Sequence, residues 1–368
     1  MKRFAAILLA LTLLLAGCTV PVSPTPTPAL TPATTFPIPL PTSGGDVAES
    51  NIFAMDTVMS FRVHGENGQD MLALIANAIN ALERELSVTR EGSDVWRINH
   101  AGGESVTGGE AAAYLLSLAK ELGDSTGGAL DMTMYPVVKA WGFTTSEYRV
   151  PSGSELSGLL EHVDYQKVEI EQKPADLGDT YVTLPADMEL DLGSIAKGYA
   201  GECAANLLRE NGVTSALLNM GGNVQSVGSK PDGSPWRIGI QDPNETTGSY
   251  LGILQLVDQA AITSGGYERF FEEDGVRYWH IMDPHTGAPA RSGLVSVTIV
   301  GNKGGLCDGL STALFVLGRE KALDYWRTYG GFEAILVDED NNVWVTGGLK
   351  DSFALVEGSS YTLRLVEE

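Results

Sequence analysis

The chain has 368 residues, of which 43% are hydrophobic and 19% are charged, so it is long and apolar enough to bury a substantial core and is not a disordered chain. The 24 Lys and Arg residues and 47 Asp and Glu residues give a net charge of −23, which repels phosphate backbones and anionic lipid headgroups and excludes nucleic acid as a partner. Three cysteines are too few for a disulfide framework or a four-cysteine zinc site.

The N-terminal segment predicts export. A short basic start precedes the apolar run Phe4–Ala16, and a membrane-spanning helix needs about 20 such residues, so residues 1–18 are predicted to be a signal peptide. The segment ends in Leu15-Ala16-Gly17-Cys18, which resembles the bacterial lipobox, whose cysteine is acylated. It predicts lipidation of Cys18 in an exported bacterial lipoprotein, anchored to the outer face of the cell membrane (the periplasmic side in a Gram-negative cell). The alternative is an ordinary secretory signal with a chance cysteine.

The segment after the signal peptide is rich in proline. Eight of the 17 prolines fall between Pro21 and Pro41, interleaved with Thr and Ser. This composition favours an extended, solvated chain. We therefore predict a tether over residues 19–48, followed by one globular catalytic domain over residues 49–368.

Hydrophobic periodicity predicts a mixed α and β domain. The predicted helices are Met71–Leu86 with Asp70 as its cap, Ser194–Leu208 followed by Gly212 as a stop, and Asp308–Leu317 closed by Gly318. The predicted strands are Ser215–Leu218, Trp236–Ile240, Leu294–Val300, Ala334–Val337 and Val343–Thr346, of which the last two flank a hairpin turn. These elements do not follow the repeated βαβ order of a doubly wound fold.

One helix carries a candidate metal site. The sequence contains neither GxxxxGK[ST] nor GxGxxG, so P-loop and dinucleotide-binding folds are not indicated. Asp308 and Thr312 are four residues apart on the third predicted helix, so their oxygens share one face. With a nearby backbone carbonyl they would form an all-oxygen site suited to Mg²⁺ or Ca²⁺. Helix capping or simple hydrogen bonding is the alternative for such a pair.

A second predicted helix carries a candidate anion site. Lys197 lies in its first turn, where free N–H groups and the helix dipole favour a negative charge. The alternative is a solvated lysine. Small residues nearby, Ala196, Gly198 and Ala200, indicate close approach by a ligand or by another backbone segment. The glycine pairs at 127/128, 221/222 and 265/266 allow backbone positions that other residues resist, with ordinary loops as the alternative.

His280 is the candidate general base. It follows Trp279 and precedes Ile281, just before a turn at Asp283-Pro284-His285-Thr286-Gly287. Its ordinary pKa lies near working pH, so next to a metal and anion site it could accept a proton. A histidine at an apolar strand edge is otherwise a satisfied core residue.

Several short segments with unusual composition occur in a fixed order along the chain. They are Ser125-Thr126-Gly127-Gly128-Ala129-Leu130-Asp131-Met132-Thr133, Asp191-Leu192-Gly193-Ser194-Ile195-Ala196-Lys197-Gly198-Tyr199-Ala200, Asn219-Met220-Gly221-Gly222-Asn223, Thr263-Ser264-Gly265-Gly266-Tyr267, His280-Ile281-Met282-Asp283-Pro284-His285-Thr286-Gly287 and Asp308-Gly309-Leu310-Ser311-Thr312. In this order they resemble the motifs of the ApbE family of FAD:protein FMN transferases, among them T-S-G-x-Y-x-R and H-I-x-D-P-x-T-G. The resemblance runs from about Asn51 to Leu365.

The resemblance implies a fold and an activity. The fold is α+β, ApbE-like and T-fold-like, with largely antiparallel sheets in a single catalytic unit of one or two lobes. The activity is transfer of FMN from the substrate FAD to a Thr or Ser hydroxyl of a partner protein, with release of AMP and with Mg²⁺ (or Ca²⁺) as cofactor. The partner would be a flavoprotein with a D/S-G-A-T/S motif, such as a subunit of a membrane redox complex. Contact with the membrane would be through the lipid anchor alone.

The resemblance also implies roles for individual residues. The metal would be held by Asp308, Thr312 and a backbone carbonyl, that of Ser194, and His280 would accept the hydroxyl proton. The residues implied to lie along or beside the nucleotide are Met55, Thr89, Ala129, Leu130, Asp131, Lys197, Ile281, Asp283 and Thr286.

Two departures from the family pattern are visible. The family often carries an aromatic residue where this chain has Thr89, and the usual M-G-T start reads Met55-Asp56-Thr57. The first departure affects a stacking or lid contact over the nucleotide. Without that contact, water would have easier access to the nucleotide. It keeps open a metal-dependent FAD pyrophosphatase, which would release FMN and AMP. A non-catalytic flavin-binding lipoprotein is the alternative from a different class.

Overall fold

The computed structural model describes residues 47–172, 180–245 and 248–367. These residues belong to one compact unit. The predicted signal peptide, the lipidation site Cys18 and almost all of the predicted tether lie outside the described residues. The first strand begins at Val47, two residues before the predicted start of the domain.

Helices and strands alternate irregularly along the described chain. The helices are α1 (Gly68–Leu86), α2 (Asp94–Asn99), α3 (Glu110–Thr126), α4 (Tyr135–Ala140), α5 (Gly153–Leu160), α6 (Ala196–Glu210), α7 (Gly304–Leu317) and α8 (Arg319–Tyr329). The strands are β1 (Val47–Ala54), β2 (Thr57–His64), β3 (Val106–Gly108), β4 (Glu169–Gln172), β5 (Thr180–Thr183), β6 (Ser215–Asn219), β7 (Val224–Gly228), β8 (Trp236–Gln241), β9 (Tyr250–Leu256), β10 (Ala260–Gly265), β11 (Phe270–Glu273), β12 (Val276–Trp279), β13 (Leu294–Gly301), β14 (Glu333–Asp338), β15 (Asn342–Thr346), β16 (Phe353–Leu355) and β17 (Thr362–Val366).

A large sheet forms the centre of the fold. Within the described ranges it has nine strands in the order β1-β2-β6-β7-β10-β13-β14-β15-β17. Every neighbouring pair is antiparallel except β15 and β17, which are parallel. Two smaller sheets have the orders β8-β9-β16 and β3-β5-β4, and β11 and β12 form a separate hairpin. The expected α+β class with largely antiparallel sheets is confirmed.

The two faces of the large sheet are covered differently. On β13, Val297 and Ile299 pack into the cluster that includes α3 and α7, whereas Val300 packs toward β8 and β9. Side chains alternate between the faces of a strand, so the helices cover one face and the small β8-β9-β16 sheet covers part of the other. α1 and α6 share the helical side, over β2, β6 and β7. The helical side is where the candidate site lies.

The predicted helices exist, but their starts differ from the predictions. α1 begins at Gly68 after Asn67, so the predicted cap Asp70 is wrong and instead lies in the first turn. α6 begins at Ala196, two residues after the predicted start. α7 begins at Gly304, which places Asp308 in the helix interior and removes capping as the explanation for Asp308. Helix ends are set by tertiary contacts as much as by local sequence.

The predicted strands are confirmed, with small changes at their ends. β14 and β15 form the expected hairpin, with Val337 opposite Val343, and Asn341 in its turn has a positive φ of 60°. In the described ranges, no helix combines the length and hydrophobicity needed to cross a bilayer.

Candidate functional site

The site is built where α6 crosses α7 at very short range. A Cβ atom added to Gly198 would lie 2.2 Å from the Gly304 carbonyl oxygen and 2.7 Å from Cβ of Asp308. Only glycine permits this approach. The small residues at the start of α6 therefore serve contact with another backbone segment, which was one of the two expected explanations. This contact brings Asp308 of α7 to the first turn of α6.

Asp308 is the anion bound at the start of α6. Its Oδ2 accepts a hydrogen bond from the Gly198 N–H at 2.7 Å, and its Oδ1 accepts one from Nδ2 of Asn223 at 3.0 Å. Burial raises the pKa of Asp308, while Lys197 and these two donors oppose the rise. Within the described chain no basic side chain forms an ion pair with Asp308. A buried carboxylate that has no basic partner is stabilised by a bound cation.

Thr312 lies one turn after Asp308, at a group of hydroxyls. Its Oγ1 lies 3.3 Å from Oγ of Ser264, which lies 2.8 Å from Oγ of Ser311. Ser311 in turn donates to the Asp308 carbonyl at 2.8 Å. Ser194, the third expected ligand, is half-buried in the turn that precedes α6.

The donor set fits a hard divalent cation. Each Asp308 carboxylate oxygen accepts one hydrogen bond and so retains a lone pair. The described residues contain no group of three or more His, Cys, Asp or Glu side chains that could hold a metal. A metal at this place would therefore rely on one carboxylate with hydroxyl and carbonyl oxygens, the ligand type that Mg²⁺ and Ca²⁺ prefer.

Lys197 lies among several charged or titratable side chains, and we name the group the charged cluster. Its members are Asp191, Lys197, Glu268, Arg269, His280 and Asp308. Lys197 acts electrostatically on Asp191, Glu268, His280 and Asp308, so all four face the same region. Its Nζ also donates to the Gly193 carbonyl at 3.4 Å. The cluster thus places two basic side chains, Lys197 and Arg269, among three acids in a strongly acidic protein.

Glu268 lies between the loop at Gly222 and the start of β11. Its Oε1 lies 3.9 Å from the place that a Cβ on Gly222 would take. Desolvation raises the pKa of Glu268 to about 7, with Asp308 adding to the rise and Lys197 and Arg269 opposing it. The side chain is nevertheless accessible to solvent, so water offsets part of this shift.

His280 directly follows β12, and its orientation is fixed by one carbonyl. The Arg269 carbonyl accepts the His280 backbone N–H at 3.1 Å and lies 3.3 Å from Nδ1. A carbonyl can only accept, so Nδ1 carries the proton and Nε2 keeps its lone pair. Desolvation, with Arg269 and Lys197, lowers the pKa of His280 to about 3. Water reaches the half-exposed ring and offsets part of this shift, but the imidazole is neutral at pH 7.

Three of the expected nucleotide-lining residues have side chains in the main core. Ala129, Leu130 and Ile281 are each 3% exposed and belong to the cluster around α3 and α7. Their side chains face the protein interior. Contact with a nucleotide at these positions would therefore come from backbone atoms.

Asp131 connects neighbouring segments. Its Oδ1 accepts from the Thr133 N–H at 2.7 Å and its Oδ2 from the Tyr165 N–H at 3.1 Å. Burial raises the pKa of Asp131, and these hydrogen bonds oppose the rise. A cavity of about 450 Å³ lies beside it, with Pro284 and His285 in its lining.

Asp283 and Thr286 shape the loop that follows His280. The Asp283 carbonyl accepts from the N–H groups of Thr286 and Gly287, and its Oδ1 accepts from the His285 N–H. Thr286 Oγ1 accepts from the Ala288 N–H at 3.3 Å. Both residues thus fold the turn that follows His280.

Met55 and Thr89 lie on separate loops. Met55 is in the turn between β1 and β2, where its N–H donates to Oε1 of Glu83 at 2.9 Å. Thr89 is exposed in the loop after α1, and its Oγ1 lies 3.3 Å from Oγ of Ser87.

Sequence reasoning gave no role to four residues of this region. They are Asp191, Asn223, Glu268 and Arg269. Asp191 and Asn223 lie within the motif segments Asp191–Ala200 and Asn219–Asn223, and Arg269 is the last residue of the motif T-S-G-x-Y-x-R. Their place in these motifs was the available signal. Glu268 occupies an unspecified position of the same motif and had no signal.

Comparison with known proteins gives consistent results. The sequence model of the ApbE family matches residues 55–336. The FAD:protein FMN transferase of Treponema pallidum is 33% identical over 286 residues, which cover 75% of this chain and 79% of that protein. One from Klebsiella pneumoniae is 34% identical over 266 residues, which cover 72% of this chain and 81% of that protein.

Solved structures agree with this result. The crystal structure of an ApbE protein from Thermotoga maritima superposes with a TM-score of 0.73 at 33% identity, covering 80% of this chain and 95% of that one. The apo form of the flavinyl transferase ApbE from Pseudomonas stutzeri gives 0.69 at 31% identity, covering 81% and 93%. The family model, the sequence relatives and the solved structures all indicate the same family over most of the described residues. The chain therefore belongs to the ApbE family.

Proposed function

We propose that this chain transfers FMN from FAD to a Thr or Ser hydroxyl of a target flavoprotein and releases AMP, in a metal-dependent reaction. The observation that carries the proposal is the charged cluster. It sets a neutral histidine with a free Nε2 and a buried carboxylate around the same lysine. A base and a cation-favouring site are the two elements that phosphoryl-type transfer to a hydroxyl needs.

The residues divide the chemistry between them. His280 Nε2 takes the proton from the acceptor hydroxyl, whose oxygen then forms a bond to the FMN phosphorus. The bond from that phosphorus to the AMP oxygen breaks, and AMP leaves as the anion. Lys197 supplies positive charge beside the developing negative charge. A Mg²⁺ or Ca²⁺ ion, held by Asp308, Thr312 and the Ser194 carbonyl, would neutralise diphosphate charge when bound.

The N-terminal sequence supports a location for this activity. We propose an exported lipoprotein that is attached at Cys18 and touches the membrane through its lipid anchor alone. The proline-rich tether would hold the domain off the surface. An acceptor with a D/S-G-A-T/S motif in a membrane redox complex would then lie within reach.

A second function is favoured by one residue. Thr89 is exposed on its loop, where the family often carries an aromatic residue. A smaller polar side chain there would admit water to the nucleotide, and water in place of the hydroxyl gives FAD pyrophosphatase activity. A non-catalytic flavin-binding lipoprotein would need no such base, so His280 argues against it.

One incubation separates these functions. The protein is mixed with FAD, Mg²⁺ and a peptide that carries a D/S-G-A-T/S motif, and the intact peptide mass is measured. Transfer predicts a gain of one FMN. Free FMN with an unmodified peptide would indicate hydrolysis instead of transfer. Unchanged FAD would indicate a non-catalytic flavin-binding protein.

A further inference from the structure

The turn between β1 and β2 has an unusual composition. Ala54 pairs with Thr57, so Met55 and Asp56 alone form the turn, with φ of 49° and 60°. Both angles lie in the left-handed region, where glycine, asparagine and aspartate are tolerated best. In the resemblance to M-G-T, this chain has Asp56 where glycine is usual. The turn conformation can be adopted without a side chain at this position, so the turn alone does not explain the aspartate.

The Asp56 side chain forms an ion pair with Arg269. Its Oδ2 lies 2.6 Å from Nη2 of Arg269, a residue 213 positions away. The two side chains are 70% and 51% exposed. An ion pair this exposed stabilises a fold by only about 0–1 kcal/mol. The pair is therefore dispensable for folding.

Arg269 connects this turn to the charged cluster. Its carbonyl fixes the His280 ring, and its guanidinium acts electrostatically on Asp191, Glu268 and His280. The guanidinium therefore lies at the cluster, where Asp56 supplies a negative partner. A guanidinium is suited to bind two phosphate oxygens at once. Asp56 and a diphosphate are thus alternative partners for one side chain.

We propose that Asp56 is a positioning residue that holds the Arg269 guanidinium and gives it up to the phosphates of FAD. The proposal rests on the proposed function, because it needs FAD at the charged cluster. The exchange costs affinity, since one ion pair must break for another to form. Asp56 thereby sets the affinity for the nucleotide without taking part in the chemistry.

Binding of FAD to the full chain tests this exchange. The Kd is measured by flavin fluorescence for the wild type, Asp56→Asn and the control Asp70→Asn. Asp70 is an exposed acid in the first turn of α1, beyond His64 at the opposite end of the β1–β2 hairpin. We expect Asp56→Asn to lower the Kd roughly two- to fivefold, the range of an exposed ion pair. Asp70→Asn should leave it unchanged.

A split between KM and kcat and a double mutant separate positioning from a structural role. Asp56→Asn should lower KM for FAD by the same factor and leave kcat within about twofold, because the Arg269 carbonyl still holds His280. In an Arg269→Gln background the effect of Asp56→Asn should vanish. If the wild type binds FAD and the Kd of Asp56→Asn is equal to or higher than the wild-type Kd, this inference alone is overturned. The same holds if the effect persists in Arg269→Gln. A wild type that binds no FAD would overturn the proposed function as well.

Discussion

The crossing of α6 and α7 and the β11–β12 hairpin contribute to the same charged cluster in different ways. At the crossing, Asp308 is 5% exposed and hydrogen-bonded to partners 110 and 85 residues away. At the hairpin, His280 is half-exposed and is held by one carbonyl of Arg269. The first region joins the site to the core, whereas the second adds a base at the surface. Changes at the crossing should therefore affect folding and function together, and changes at the hairpin should affect function alone.

The largest effect is expected at the carboxylate of the crossing. Asp308→Asn keeps the shape but removes the only carboxylate proposed to bind the metal, so we expect metal-dependent turnover to fall by roughly 10³-fold. Steady-state rates over a Mg²⁺ titration check this. Full activity with Mg²⁺ in the variant would refute the metal assignment. Chemical denaturation should show a folded but less stable variant, because the amide oxygen can accept only one of the two hydrogen bonds that Asp308 accepts.

The hairpin histidine should lose chemistry without losing the fold. His280→Ala removes the proposed base, which is worth ~10²–10⁴-fold in rate. Single-turnover transfer and FAD binding are measured together, and binding should persist. The control is His100→Ala, whose exposed ring stacks on Trp96 with 4.0 Å between ring centroids. Lost FAD binding in His280→Ala would mark the residue as structural.

The glycine at the crossing should lose stability. A Cβ on Gly198 would lie 2.2 Å from the Gly304 carbonyl, so Gly198→Ala must push α6 and α7 apart. We expect the free energy of unfolding to fall by about 1–3 kcal/mol, with reduced turnover. Denaturant titration measures it. Gly158→Ala in α5 meets nothing within 4 Å and should stabilise slightly. Equal effects of the two substitutions would contradict the crossing argument.

The smallest effect concerns pH. The folded-state pKa of Glu268 is about 7 against an ordinary 4.5, so the folded chain binds this proton more tightly than the unfolded chain. Its contribution to stability is therefore fully present below pH 4.5 and is lost as pH rises toward 7. Glu268→Gln should flatten this dependence by about 1 kcal/mol or less, because water screens the exposed side chain. Unfolding free energies of both proteins at pH 4.5 and 8 measure the difference, and parallel curves would contradict it.

The two regions also differ in what could be predicted from sequence. The pattern of apolar residues located α6 and α7, and the motif order indicated that Asp308, Lys197 and His280 act together. The start of α7 was missed because Gly304 and Gly305 are poor helix formers that a contact with α6 places in a helix.

The role of Glu268 and Arg269 was missed for a different reason. Local pattern carries no information on which side chains a hairpin brings beside a helix end. Arg269 acts through its carbonyl on His280 and through its guanidinium on Asp56, and both contacts depend on the tertiary fold.

The central claim, that this chain transfers FMN rather than hydrolysing FAD, is tested most directly by stoichiometry. AMP and flavin-labelled acceptor peptide are quantified from one reaction of the wild-type chain with FAD and Mg²⁺. The account predicts equal amounts of AMP and labelled peptide, and neither product above background with His280→Ala. AMP that accumulates with FMN while the peptide stays unlabelled would contradict it.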